Sequence, residues 1–239
     1  MTDQYYSVDM YDVVIRCKNE AKDLEDVLIS INSQTIKPNK IVIVDNYSTD
    51  NSVTIAEKYN CKIVHYDLEL FNYSRALNLG LTACDAAHVL ILSAHCPLTN
   101  SDSLEIMLNE LENERVAGVF GRQLPTSSST PFDVRDLLTV FGRERIVYDK
   151  FPFFHNAFSV IRRQSWEEVN FNESYNGIED RLWAREQCLR NKRIVYCPDA
   201  KVFHEHGLNH AKDFKRAVRV CQNLSKLHLE DDIDFPDFV

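Results

Sequence analysis

The chain has 239 residues, 44% of them hydrophobic, and a formal net charge of −9. That length suits one large domain or two small ones with a full core, and the acidic balance argues against nucleic acid as a main partner. No apolar run approaches the roughly 18 residues that a membrane span needs, and seven scattered cysteines without a CxxC pair read as reduced thiols rather than a disulfide framework or zinc knuckle.

The opening segment MTDQYYSVDM lacks the basic and apolar regions of a signal peptide, so a cytoplasmic location is expected. A strand is expected over 12–16, running into Cys17-Lys18-Asn19-Glu20 and a helix over 21–33 with Leu24, Val27, Leu28 and Ile31 at helical spacing. The most informative stretch follows, IVIVDNYSTD at 41–50. Four β-branched residues make a buried strand that ends in Asp45; a turn and a helix over 50–59 come next. In open α/β sheets, ligands bind beyond the carboxyl ends of the strands. Asp45 sits at such an end and either accepts a hydrogen bond from a nucleobase or ribose, or only caps the turn.

Further strands are expected near 62–65, 88–92 and 116–121, alternating with helices near 74–83 and 102–113. The alternation argues for a mostly parallel, doubly wound sheet. LPTSSST at 124–130 reads as a mobile loop, and the charged stretch 131–150 as a helical insert over a site. The aromatic segment 151–156 leads into a strand over 157–161; a helix from near 178 to 190 and strand pieces at 193–196 and 200–204 complete the pattern. Residues 210–229 read as an amphipathic helix with Phe214, Ala217, Val218, Cys221 and Leu224 on one face and basic residues largely off it. Packing on the domain is the favoured reading of that helix, and contact with an anionic membrane the alternative.

Several short segments, in order, resemble family 2 glycosyltransferases of the GT-A fold, in particular a bacterial rhamnosyltransferase-like branch. They are KNE, QT at Gln34-Thr35, VDNYSTDNS, RALN at 75–78, SAH at 93–95, GRQLP at 121–125, ED at 179–180 and FHEH at 203–206, together spanning roughly Val13 to Gly207. The resemblance implies one catalytic domain with a Rossmann-like, mostly parallel doubly wound sheet. Within it lie a nucleotide-binding half at about 11–123, an acceptor-side half at about 124–207, and a C-terminal helix with an acidic tail at 208–239. The implied activity is inverting transfer of a sugar from a nucleotide sugar to a glycan or lipid-linked saccharide in bacterial surface polysaccharide or lipopolysaccharide synthesis. It would act in the cytoplasm or at the inner face of the membrane. A dTDP-deoxyhexose such as dTDP-rhamnose leads as donor, with UDP-hexose or UDP-N-acetylhexosamine as alternatives.

Such transfer needs a base for the acceptor hydroxyl, charge stabilisation for the leaving diphosphate, and a held nucleotide. The resemblance makes Asp180 the base and Glu179 its alternative; the plain reading of both is a favourable charge at a helix N-terminus. Most relatives carry Asp-x-Asp after the fourth strand, where this chain has Ser93-Ala94-His95. Serine is a poor metal ligand, whereas neutral histidine can hold a divalent ion such as Mn²⁺. His95 with His204 or His206 therefore forms the candidate metal site for Mn²⁺ or Mg²⁺, or else neutralises the diphosphate without metal. Because His204 and His206 alternate along an extended chain, only one should face the site. Asn19, Glu20, Asp45, Arg75, Ser93, Arg122 and Gln123 are the expected donor contacts. For Asn19 and Glu20 the other reading is helix entry, for Arg75 a surface salt bridge. Trp183 either lines the acceptor pocket or sits in the core. A nucleotidyltransferase would want a glycine-rich phosphate loop near the N-terminus, and a catalytically silent sugar-nucleotide-binding protein would fit the missing Asp-x-Asp. Both stay open at this level.

Overall fold

The computed structural model describes residues 11–66, 71–205, 218, 220–223 and 225. Eight strands form one sheet in the order β3-β2-β1-β4-β7-β5-β8-β6. The first four are β1 (Tyr11–Cys17), β2 (Lys40–Asp45), β3 (Lys62–His65) and β4 (His88–Ser93), all parallel. The near-continuous apolar runs of β1, β2 and β4 fit strands buried on both faces, while β3 at the sheet edge is exposed or half-buried. On one face Val13 and Ile15 pack with Leu24, Val27, Leu28 and Ile31 of α1 (Leu24–Asn32). On the other, Val14 and Val44 meet Ala76, Leu77 and Leu81 of α3 (Tyr73–Thr82). The short helix α2 (Ser52–Lys58) joins β2 to β3, and α4 (Ser103–Glu110) joins β4 to β5.

The second half of the sheet departs from a simple alternation. β5 (Val116–Leu124) does not pair with β4. β7 (Phe158–Arg162) lies between them, antiparallel to both. β8 (Arg193–Phe203) is one long strand parallel to β5, not two pieces. Its register jumps from Gly121↔Cys197 to Arg122↔Lys201, so Pro198, Asp199 and Ala200 bulge out. A bulge is where a strand tolerates a proline, which cannot donate to the ladder. The stretch read as a helical insert divides into α5 (Pro131–Val140) and a short edge strand β6 (Ile146–Tyr148) antiparallel to β8. A short helix, α6 (Arg163–Glu168), follows β7 directly, and α7 (Glu179–Leu189) precedes β8.

The register jump leaves no room at Gly121. A Cβ there would overlap the Phe158 ring and lie 2.8 Å from the Ala200 carbonyl. Gly121→Ala should cost at least the roughly 1–3 kcal/mol typical of overpacking. At about 2–4 °C per kcal/mol for a chain of this size, a melting curve should fall by several degrees. An unchanged melting temperature would contradict this close packing.

Trp183 is core: it is buried between Phe154 and Phe171, and its indole N–H donates to the Val169 carbonyl (2.9 Å). The loop 124–130 is organised by hydrogen bonds. Thr126 and Ser129 bond each other, Ser129 Oγ donates to the Glu205 carbonyl, and Thr130 caps α5. Of the C-terminal segment, the described residues are helical, and Val220 packs against Ile178 and Leu182. Val218 and Cys221, expected on the apolar face, are exposed, while Phe214, Ala217 and Leu224 lie outside the described residues. No helix among the described residues is long and apolar enough to cross a membrane.

Candidate active site

A cavity of about 430 Å³ opens where the carboxyl ends of β1, β2, β4 and β8 meet the amino ends of β7 and α7. Because β7 runs antiparallel to β4, the residues preceding it arrive at the ligand-binding edge of the sheet. The lining brings together Ser93 and His95 after β4, His155 and Asn156 before β7, Glu179 and Asp180 at the start of α7, and His204 after β8.

The acidic pair is placed by a turn. Gly177 has φ 96°, a left-handed conformation that glycine adopts without strain. α7 then starts with the two carboxylates in its first turn, where the helix dipole favours negative charge. Their surroundings differ. Glu179 is buried, accepts a hydrogen bond from the Gly177 N–H (3.1 Å) and pairs with Arg16 at 3.4 Å. Burial pushes its carboxyl above the usual range, the neighbouring Asp180 adds to this, and Arg16 opposes it. The Arg16 guanidinium also lies over the Tyr73 ring, 4.7 Å from its centroid. Asp180 is less buried. Its two oxygens accept from the backbone N–H groups of Arg181 (2.8 Å) and Asn156 (3.2 Å), which fix the carboxylate at the cavity wall.

Across the cavity, His95 and His204 stack with ring centroids 5.3 Å apart and planes 22° apart. Nδ1 of His95 is 3.4 Å from Glu20 Oε2, and Nδ1 of His204 is 2.7 Å from Gln123 Oε1. Ligand atoms of His95, Cys96 and His204 all lie within 4.8 Å of one another. Two imidazoles each backed at Nδ1 by an oxygen acceptor match the support found behind metal-bound histidines. This donor set therefore fits a divalent cation. Burial pushes the Cys96 thiol up. His206 lies outside the described residues.

The other expected donor contacts divide. Ser93 and Glu20 line the cavity. Gln123 is buried behind it, bridging His155 and His204. Asn19, with φ 56°, lies outside the lining, and its side chain accepts from the Thr49 N–H (2.7 Å), tying the β1 loop to the β2 loop. Asp45 is buried, and both its oxygens accept from the Ser48 N–H (3.3 and 3.2 Å). Its neighbour Asn46, not Asp45, reaches the cavity. Arg75 is held by Glu173 at 2.6 Å, and Arg122 donates to the Phe141 carbonyl at 3.1 Å; neither lines the cavity. Strand alternation explains the split between Arg122 and Gln123, which point to opposite faces of β5.

Arg16, Tyr73, His155, Asn156 and Arg181 line the cavity without having been singled out from the sequence. The available signal was His155-Asn156 directly before a buried run, but only the antiparallel placement of β7 brings that end to the site.

Comparison with known proteins agrees with this architecture. The chain is 28% identical over 216 residues to the O-antigen chain rhamnosyltransferase RfbN of Salmonella typhimurium, covering 85% of this chain and 69% of that one. It is 28% identical over 194 residues to the O-antigen chain rhamnosyltransferase WbaN of Salmonella anatum, covering 77% and 62%. The chain thus spans about two thirds of the length of these relatives. Among solved structures, it superposes on a mannosyltransferase from Pyrobaculum calidifontis in complex with GDP-Man and Mn²⁺. The TM-score is 0.71 at 20% identity, covering 95% of this chain and 66% of that one. A second is S. aureus TarS 1–349 in complex with UDP-GlcNAc, with TM-score 0.67 at 18% identity, covering 94% and 68%. These likenesses establish a mixed α/β GT-A fold. Residues 12–169, well over half of the chain, match the model of "Glycosyl transferase family 2", and the chain belongs to that family.

Proposed function

We propose that this glycosyltransferase transfers a sugar, with inversion, from a nucleotide-sugar donor to a glycan or lipid-linked acceptor during assembly of a bacterial surface polysaccharide. One observation carries the reading. A carboxylate fixed by two backbone N–H groups, Asp180, shares one cavity with the stacked pair His95 and His204. The first is what a base at the acceptor hydroxyl requires. The second is what a diphosphate's developing charge requires on the other side of the reacting carbon.

In this proposal Asp180 takes the acceptor proton as the hydroxyl attacks the anomeric carbon from the face opposite the leaving diphosphate. Backbone hydrogen bonds from Asn156 and Arg181 keep its carboxylate oriented. Glu179 holds Arg16 across the cavity mouth, joining β1 to α7. A divalent ion held by His95 and His204 would neutralise diphosphate charge. The solved relatives in complex with GDP-Man and Mn²⁺, or with UDP and Mn²⁺, support this general use of metal and nucleotide sugar. The two O-antigen relatives make rhamnose the leading donor sugar, with dTDP its expected carrier. Asp45, through its neighbour Asn46 in the cavity lining, is the proposed edge of the base-binding region; Arg75 and Arg122, engaged with Glu173 and Phe141, would support the fold around it.

A thermal-shift series with nucleoside diphosphates and nucleotide sugars, with and without Mn²⁺, tests the donor class. A ligand that binds only the folded state should stabilise by about 2.7 kcal/mol at a hundredfold excess over its Kd. A dTDP or UDP ligand should raise the melting temperature, more so with Mn²⁺. No shift with any nucleotide would contradict the proposal.

A further inference from the structure

We propose that Gln123 is a positioning residue that sets His155 and His204 in opposite tautomers, His155 as a hydrogen-bond donor and His204 as a lone-pair donor toward the same cavity. The backbone N–H of Ala157 points at Nδ1 of His155 from 3.2 Å. A peptide nitrogen has one hydrogen and can only donate. Nδ1 of His155 is therefore an acceptor, and the ring hydrogen of the neutral imidazole sits on Nε2.

The Gln123 side chain meets that same Nδ1 at 3.0 Å. The atom facing an acceptor must be the amide nitrogen. This removes the usual ambiguity between the oxygen and nitrogen ends of a glutamine side chain. The other end is then the carbonyl oxygen, and it lies 2.7 Å from Nδ1 of His204. A carbonyl can only accept, so Nδ1 of His204 carries its hydrogen and a neutral His204 carries its lone pair on Nε2. One fixed N–H thus determines three side chains in sequence: His155, Gln123, His204.

The chain of hydrogen bonds is held rigidly. Gln123 is 1% exposed, and its backbone pairs with Val202 in β8 just past the register jump. His155 is further braced by Phe153, stacked at 6.3 Å, and by the edge of Phe141 at 6.1 Å. The outcome is a division of labour between two like residues. His204 faces His95, whose own Nδ1 is backed by Glu20, so this pair suits a cation. His155, 6.5 Å from His204 between ring centroids, offers an N–H and suits a phosphate or sugar oxygen. The functional part of this inference rests on reading the cavity as a nucleotide-sugar site. A glutamate at position 123 could serve His204 as acceptor but could not donate to His155; leucine could do neither.

The test uses the full chain labelled with ¹⁵N-histidine, at about pH 8, above the ordinary histidine pKa of about 6.5. Long-range ¹H–¹⁵N spectra report which ring nitrogen carries the hydrogen, with His155→Gln and His204→Gln for assignment. The expected pattern is hydrogen on Nε2 in His155 and on Nδ1 in His204. The reverse in either ring overturns the proposal. Calorimetry with Mn²⁺ in the presence of UDP supplies a second readout. Gln123→Leu should lower the Mn²⁺ affinity about 10–100-fold, whereas Gln123→Glu should keep it near the wild-type value. Equal affinities in all three proteins would overturn the role assigned at His204. If Gln123→Leu fails to fold, the wild-type spectra still decide. Absence of binding by both dTDP and UDP would sink the nucleotide-sugar reading instead, while the tautomer pattern would still stand or fall by itself.

Discussion

Asp180→Asn should reduce sugar transfer by about 10²–10⁴-fold while leaving nucleotide binding intact. The carboxylate accepts from two backbone N–H groups, Arg181 at 2.8 Å and Asn156 at 3.2 Å. Asparagine keeps the shape and one acceptor but loses the basic oxygen, so folding should survive and proton removal should not. Its amide N–H₂ would also face a backbone donor, which adds a local cost. Glu179→Gln is the comparison. Glu179 is buried and committed to Arg16 and the Gly177 N–H. Removing its charge leaves Arg16 without its carboxylate partner, and the expected loss is of stability before chemistry. Steady-state rates beside melting curves separate the two. Near-normal turnover by a well-folded Asp180→Asn protein would rule out Asp180 as the base.

His95→Ala should lower transfer by about 10²–10³-fold, the range for removing one group that stabilises developing negative charge. The ring stacks on His204 and is backed by Glu20, and nothing else described at the end of β4 offers an equivalent nitrogen. Ser93 and His95 stand where the resemblance to family 2 glycosyltransferases implies two carboxylates; with serine and histidine the site has less negative charge and fewer oxygen ligands. A divalent ion should bind appreciably only with a nucleoside diphosphate present. Rates of wild type and His95→Ala in EDTA and in added Mn²⁺ check both points. Loss of Mn²⁺ stimulation in the variant assigns His95 to the metal. Full wild-type activity in EDTA with a damaged variant assigns it to the diphosphate. A fully active variant under both conditions makes it structural.

The first half of the sheet was legible because parallel strands buried on both faces leave unbroken apolar runs. Segments such as IVIVD and HVLIL cannot be surface loops, and the structure has β2 and β4 there. Asp180, Glu179, His95, Ser93, Glu20 and His204, named from short motifs, all meet at one cavity, with His204 arriving from the end of β8, 109 residues after His95. What the sequence concealed was set by non-local pairing. Nothing local says that β7 inserts antiparallel between β4 and β5, yet that insertion alone delivers His155 and Asn156. The strand pieces expected at 193–196 and 200–204 are one strand, β8, because the bulge at 198–200 absorbs Pro198. The partner of Arg75 is Glu173, 98 residues distant, so its salt bridge had no local signature. Gln123 was read as a donor contact, and strand alternation instead sends it behind the cavity, against His155 and His204.

The central claim is transfer with inversion from a nucleotide sugar. Its most direct test is to supply the nucleotide sugar that stabilises the protein most, together with a saccharide acceptor, and to follow the anomeric signals by NMR. The account predicts release of the nucleoside diphosphate together with a glycoside whose anomeric configuration is opposite to that of the donor. A product that retains the donor's configuration would contradict it, and so would release of pyrophosphate from a nucleoside triphosphate without sugar transfer.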